Sequence, residues 1–533
     1  MVNVAESTAE ITSDTTSLRV GSDRLDRLAL RVTVLPGFHE TVAVQAPATG
    51  RLLGTVPKGN AADVREAVRR ARKAQEDWFH RTVAERAEPI LRFHDLVIER
   101  QDEVLDLIQL ESGKARKHAF EEVADTAIVA RYYAHHADGF LAPQRRQGAL
   151  PGITVAWEHH QPVGVVGIIA PWNYPLSLAV TDAIPALLAG NGVVLKPDRQ
   201  TPFTALWAID LLEEAGLPAG LFQVVTGEGA ELGTPFIEEC DFLAFTGSTA
   251  TGRKVARQAG ERLIGCSLEL GGKNAMIVLA DADLEAAVAG AIRGCFSSAG
   301  QLCIAIERLY VHESLYHRFV DRFVAAAKAL RLGAGLDYDS DMGCLISAEQ
   351  LAKVDGHVKD AVAKGAHVRA GGGPRPDLGP TFYEPTILTA VTPEMALFRE
   401  ETFGPVVAVY RFESVNDAVE QANASPYGLN ASVWTADTDL GHRIATRLQV
   451  GTVNVNEAYA AAWASVDAPM GGFKDSGLGR RHGAQGILKY TEPQTIAIQR
   501  GIPLAAPEGV ADEVFSRAMS VTLKALRHIP GLR

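Results

Sequence analysis

Four short apolar runs in the middle of this 533-residue chain constrain its fold more than any other feature. They are Val165-Val166-Gly167-Ile168-Ile169, Gly192-Val193-Val194-Leu195, Phe222-Gln223-Val224-Val225 and Phe242-Leu243-Ala244-Phe245. A strand with one wet face alternates apolar and polar residues, so a run without alternation is buried on both faces. Helix-like stretches separate the runs: 176–188, and 202–215 with Pro202 in its first turn. Buried strands alternating with helices build a doubly wound, parallel α/β sheet. The alternation resumes with Asn274-Ala275-Met276-Ile277-Val278 and a helix near 284–293, and the chain from Cys303 onward reads as a second α/β unit. A chain this long exceeds one core, so several domains are expected.

Residues 1–20 are rich in Ser, Thr and acids, as in a loose tail, which the domain division extends to residue 35. A helix is expected from Asn60, with Val64, Ala67, Val68, Ala71 and Trp78 near one face. A second helical stretch carries Ile90, Phe93, Val97, Val104 and Ile108. Glu492-Pro493-Gln494-Thr495-Ile496-Ala497-Ile498 reads as an edge strand, with 152–160 as its counterpart. The expected division is 36–139 with 163–270 as one domain, 271–485 as another, 140–162 with 486–500 as a small β element, and 501–533 as an extension. A net charge of −12 disfavours nucleic acid as a main partner. The five cysteines are unevenly spaced and show no CxxC or His-rich cluster, so no metal site is expected. With no apolar leader-like run, the expected compartment is the cytoplasm.

Three segments carry chemistry. Cys303 follows Ala299-Gly300-Gln301-Leu302, Glu269 opens Glu269-Leu270-Gly271-Gly272-Lys273, and Asn173 sits in Pro171-Trp172-Asn173-Tyr174-Pro175. Together they offer a nucleophile, a carboxylate base and an amide donor, the equipment for reaction at a carbonyl carbon. The other four cysteines read as core residues. Three further segments lie where a doubly wound sheet binds ligands, at the carboxyl ends of strands. These are Lys196-Pro197-Asp198-Arg199, then Gly227-Glu228-Gly229 with Gly233, and Phe245-Thr246-Gly247-Ser248 leading into a helix. Spacing alone leaves nucleotide binding and ordinary tight turns both open. Gly272-Lys273 and Gly113-Lys114 lack the Ser or Thr of a P-loop. Lys273 is either structural or a partner that tunes Glu269.

The three motifs, in this order, resemble the aldehyde dehydrogenase superfamily over roughly residues 35–500. The resemblance implies oxidation of an aldehyde through a Cys303 thiohemiacetal and thioester, with Asn173 steadying the oxyanion and Glu269 activating water. It implies a nicotinamide dinucleotide held by Ile169, Ala170, Pro171, Trp172, Lys196, Asp198, Arg199, Gly229, Gly233, Phe245, Thr246, Gly247, Ser248, Leu270, Gly271, Glu401 and Phe403. NAD-preferring relatives usually carry Glu at the position of Arg199. Arg cannot accept from a ribose hydroxyl but can pair with phosphate, so NADP is expected, with NAD an alternative. The presence of Glu269 argues against a coenzyme A-acylating relative, and the complete trio argues against a non-catalytic binding protein. The two expected edge strands form an oligomerisation sheet in the superfamily, so a homodimer or homotetramer is expected.

Residues 195–198, 303–308, 451–459 and 479–483 look like an actinobacterial branch named as NADP-dependent succinate-semialdehyde dehydrogenases. Succinate semialdehyde carries a distal carboxylate and wants a cation. The positions that hold Arg in well-understood semialdehyde enzymes hold Thr181 and Ser297 here. Tyr459 and Trp463 suit an apolar or aromatic aldehyde, or are simply core or interface aromatics. The extension, with Val514, Phe515, Met519, Val521, Leu523, Leu526 and Ile529 among basic residues including Arg533, reads as a surface for a partner subunit in preference to a membrane-surface helix.

Overall fold

The structure, a computed structural model, describes residues 21–149, 153–500 and 504–528. The expectations placed on residues 1–20, Pro151, Gly152, Ile529 and Arg533 lie outside the described residues.

All four apolar runs become neighbouring strands. Among the described residues the first sheet has the order Gly477–Leu478, Gly265–Glu269, Phe242–Thr246, Val165–Ile169, Gly192–Lys196, Phe222–Val224. Every pairing is parallel except that of Gly477–Leu478 at the edge. From Val165–Ile169 the chain first runs outward on one side, then returns to the other side with Phe242–Thr246. The strand order therefore reverses between these two strands, and a crevice opens beyond their carboxyl ends. Ala170 and Gly247 leave the sheet at that crevice.

A second sheet has the order His367–Ala370, Thr386–Thr389, Val406–Phe412, Ile306–His312, Asn274–Val278, Asn430–Trp434, Thr452–Val455. It is parallel apart from its first strand. The two sheets have separate apolar cores. A third, antiparallel sheet pairs Thr491–Gln499 with Thr154–Pro162, and the latter with Gln144–Gln147. Ile496 and Ile498 are exposed on its edge strand. Among the described residues no helix is long and apolar enough to cross a membrane.

Two expectations need correction. The segment read as tail up to residue 35 is folded from Ser22: the helix Ser22–Ala29 buries Leu25 and Leu28, and Val32 is buried just after it. Their spacing puts them on one face, and the Thr33 N–H bonds the Val224 carbonyl at the sheet edge. The stretch 176–188 is two short helices, Ser177–Val180 and Ala183–Leu188. Pro185 has no N–H for the Thr181 carbonyl, which removes one bond of the ladder where the two helices part. The hairpin Thr41–Gln45 with Leu52–Pro57 is an addition, its burial alternating in the first strand. The extension forms the helix Asp512–Leu526, which buries none of its residues.

Candidate active site

Cys303 lies on a loop that is expensive to fold. After the helix Leu284–Phe296, Ser298 and Ala299 take positive φ of 50° and 54°. Residues with a Cβ avoid that region, and such strain persists only where surroundings enforce it. Gly300 follows with φ 69°, and a Cβ there would meet the Gly404 carbonyl oxygen at 2.1 Å. Gln301 supplies the enforcement. Its amide donates to the carbonyls of Ser298 and Cys344 (both 3.2 Å) and accepts from the Ile346 N–H (2.9 Å). The Asn274 amide holds the Cys303 carbonyl at 2.7 Å. Thus the residue before Leu302-Cys303 acts as a tether.

The Cys303 thiol is partly exposed. Burial and the nearby carboxylates of Glu401 and Glu269 push it up to about 12, with Arg481 opposing them. The resting sulfur is therefore a thiol.

Asn173 sits in the turn after Val165–Ile169. Its side-chain amide donates to the Gln301 carbonyl at 3.1 Å. An amide nitrogen carries two donors, so one remains for an oxyanion. Below it lies a residue that sequence reasoning passed over. Lys114 Nζ donates to the Asn173 carbonyl and to Glu122, each at 2.6 Å, and is buried. Glu122 accepts from the N–H groups of Leu176 (2.8 Å) and Ser177 (3.2 Å), closing the turn from beneath. Breaking a buried ion pair on one side leaves a bare charge and costs about 3–5 kcal/mol. Lys114→Met should therefore lower the melting temperature and slow the reaction by loosening Asn173. A variant with wild-type stability and turnover would show that the pair does not support the turn.

Glu269 ends its strand beside Thr246 in the parallel ladder. Its Oε1 is buried with no hydrogen bond among the described residues. Burial pushes its pKa up to about 7, with Arg481 and Lys489 restraining the rise. A carboxyl group at that value exchanges protons near neutral pH, as a general base must.

One cavity of about 200 Å³ gathers these groups. Its lining includes Pro171, Trp172, Asn173, Thr246, Gly247, Ser248, Glu269, Leu270, Gly271, Cys303, Glu401 and Phe403, all expected from sequence. It adds Leu178, Gln350 and Lys353, which were not expected. The remaining expected residues, Ile169, Ala170, Lys196, Asp198, Arg199, Gly229, Gly233, Phe245, Tyr459 and Trp463, do not line it.

Glu401 accepts the Gly272 N–H at 2.7 Å. Burial, then Glu307, push it up to about 7. Phe403 has φ 56° and meets Trp172 edge-on, 5.5 Å between ring centroids. Glu307 holds this strained turn by accepting from the N–H groups of Thr402 (2.9 Å) and Phe403 (2.9 Å). Lys273 pairs with Glu307 in turn, both buried. Of the two readings left open for Lys273, its contacts favour the structural one.

Of the residues expected at a dinucleotide but outside the cavity, Lys196, Asp198, Arg199 and Gly229 lie around the end of the strand Gly192–Lys196, whereas Ile169 and Phe245 lie in the strands Val165–Ile169 and Phe242–Thr246. Lys196 is 4% exposed, donates to the Pro197 carbonyl at 3.0 Å, and forms no ion pair among the described residues. A buried cation that the carboxylates of Asp198 and Glu228 act on without a direct ion pair suits a phosphate or ribose hydroxyl. A Cβ on Gly229 would stand 3.9 Å from Lys196 Cε, at the start of the helix Gly229–Glu239. Ser248 caps the helix Thr249–Arg262 through the Thr251 N–H (3.3 Å). These features fit a bound dinucleotide. Arg199 lies 3.4 Å from Glu228, and both are largely exposed.

Tyr459 and Trp463 share an apolar cluster with Tyr174, Leu302 and Cys303. Tyr459 is fully buried and donates to Glu121 at 2.9 Å. Tyr174 donates to the same carboxylate at 3.2 Å, and Trp463 meets Tyr174 edge-on at 5.7 Å. Thr181 and Ser297 are buried. Arg293 lies over the Tyr459 ring at 5.1 Å and is paired with Glu457 and Glu121.

Residues 36–496 match the aldehyde dehydrogenase family. A Mycolicibacterium smegmatis protein, provisionally named succinate-semialdehyde dehydrogenase (NADP(+)), is 55% identical over 91% of this chain and 93% of its own. The structure of a succinate-semialdehyde dehydrogenase from Burkholderia pseudomallei superposes with a TM-score of 0.82, at 37% identity, over 86% of this chain and 95% of that one. An aldehyde dehydrogenase from Bacillus cereus, solved with NAD+, gives a TM-score of 0.82 at 38% identity, over 86% of this chain and 93% of that one. The chain belongs to the aldehyde dehydrogenase family.

Proposed function

We propose that this chain oxidises succinate semialdehyde to succinate with NADP. The observation that carries the chemistry is the cavity where Asn173, Glu269 and Cys303 converge. Cys303, once deprotonated, attacks the aldehyde carbon. The alkoxide so formed is stabilised by the free amide hydrogen of Asn173 and the Cys303 backbone N–H. Residues around Lys196, Ser248, Glu401 and Phe403 would hold the dinucleotide, which would supply the hydride acceptor. The thioester left on Cys303 is hydrolysed by a water from which Glu269 takes the proton.

The substrate assignment rests on the names of relatives such as the M. smegmatis protein. A second reading is an apolar or aromatic aldehyde. It is favoured by Thr181 and Ser297 where cations were expected, and by the aromatic cluster of Tyr174, Tyr459 and Trp463 beside Cys303. One panel of aldehydes decides. A kcat/KM for succinate semialdehyde at least about tenfold above those for benzaldehyde and hexanal supports the first reading, since each decade is 1.4 kcal/mol. The reverse order supports the second.

Arg199 is the basis of the NADP preference. Its exposed pairing with Glu228 is worth about 0–1 kcal/mol. A charge-assisted bond to a 2′-phosphate is worth about 1.5–3 kcal/mol, so the phosphate can displace Glu228. Arg199→Glu should raise KM for NADP at least about tenfold and leave NAD nearly unchanged. If the unmodified enzyme uses both cofactors equally and the substitution alters neither, Arg199 merely faces solvent. The exposed edge strand Thr491–Gln499 and the helix Asp512–Leu526 are the surfaces we assign to contacts with further copies of the chain.

A further inference from the structure

Arg481 lies in the segment 479–483, which the chemistry above leaves unused. Its side chain is 12% exposed, that of Lys489 11%, and that of Asp182 5%. Arg481 pairs with one Asp182 oxygen. Lys489 (3.0 Å) and the Tyr490 hydroxyl (2.7 Å) donate to the other. Asp125, which also feels Arg481, is pushed up to about 7 by burial, so two cations face a single fully ionised carboxylate, Asp182, and the cluster keeps a surplus positive charge.

That charge lies on Glu269's side of the sheet. Side chains alternate along a strand, so Ser267 and Glu269 share a face. Lys489 donates to Ser267 Oγ at 3.2 Å. Thr246 is the ladder partner of Glu269, and Arg481 donates to Thr246 Oγ1 at 3.2 Å. Both neighbours of Glu269 on its face are thus tied to the cluster's cations. Two buried atoms of opposite kind remain without hydrogen bonds among the described residues: the Arg481 Nε–H, a donor, and Glu269 Oε1, an acceptor.

We propose that Arg481, anchored by Asp182, is a positioning residue that keeps the Glu269 carboxylate ionised near neutral pH and so sets the pH at which the thioester is hydrolysed. This rests on the reading of Glu269 as the hydrolytic base. Without a nearby cation, a carboxylate buried beside the acidic groups of this cavity would take up a proton and lose its basicity. The charged and titratable groups around it are Arg481 and Lys489, Asp182 ahead of the helix Ala183–Leu188, Arg480, and, across the cavity, Cys303 and Glu401. His482, next to Arg481, is pushed down to about 3 by burial and stays neutral. Arg481 heads the groups that favour the ionised form of Glu269.

The test follows acyl-enzyme decay by quenched-flow mass spectrometry in the full-length enzyme, from about pH 5 to about pH 9. Arg481→Met should move the acidic limb up by about one pH unit or more, leaving the rate at high pH nearly intact. Asp182→Asn frees the cations and should move the limb down. Arg481→Lys should hold it in place, and with Asp182→Asn it keeps the test open if Arg481→Met fails to fold. Opposite shifts from loss of the cation and of its anchor cannot come from a merely structural role. Limbs that do not move, or losses equal at every pH, overturn the proposal. If Glu269→Gln fails to remove the limb, it is the assignment of Glu269 as base that falls.

Discussion

Cys303→Ala should abolish aldehyde oxidation while dinucleotide binding persists. No other described thiol can substitute. Cys240, Cys295 and Cys344 are buried, and Cys266 lies in the strand Gly265–Glu269. Cys303 alone lines the cavity with Asn173 and Glu269. Removing a nucleophile from a cooperating set typically removes about 10⁴-fold or more of the rate. The proposed cofactor cluster at Lys196, Gly229 and Ser248 is built from the end of a first-sheet strand and the starts of two helices, none of them in the Cys303 loop, so it should keep its shape. Reduced-cofactor formation measures the loss, and fluorescence titration with NADP measures what is kept. Oxidation above about one part in a thousand of wild type would remove Cys303 from the role of nucleophile.

Glu269→Gln should separate two steps that the wild-type enzyme runs in sequence. Hydride transfer needs the thiohemiacetal, whereas hydrolysis needs a base. The variant should therefore release a burst of reduced cofactor and then turn over slowly, by about 10²–10⁴-fold. Its thioester should be detectable by mass. Should single-turnover hydride transfer be as slow as steady-state turnover, with no acyl-enzyme, the base lies elsewhere. The wild-type pH dependence has a definite sign. Glu269, pushed up to about 7 by burial, is active only when ionised. Hydrolysis should fall as pH drops through 7 and level off above it, and this limb should vanish in Glu269→Gln.

Much of the fold, and the three side chains that meet in the cavity, were legible in the sequence. The runs at 165–169, 192–195, 222–225 and 242–245 show strand burial directly, because a strand covered on both faces carries few polar residues. Asn173, Glu269 and Cys303 stand in short segments rich in Gly or Pro, where local backbone demands leave a visible mark. The helix Ser22–Ala29 was missed because its three-residue apolar signal is too brief to distinguish from a polar tail. The break at Thr181–Asp182 was missed because the apolar pattern runs through it and only Pro185 interrupts.

Tertiary structure alone decided how these reactive groups are supported. Lys114 under Asn173, Glu307 under Phe403 and Arg481 with Asp182 are partners 59, 96 and 299 residues apart. A sequence shows that a lysine or glutamate is present, but not whether water or another charge will neutralise it. Burial forces that choice, since a charge removed from solvent must find a partner or change its protonation state. The chain therefore states its proposed nucleophile, base and amide donor locally. The fold alone determines which buried ions hold them in place and at what pH they act.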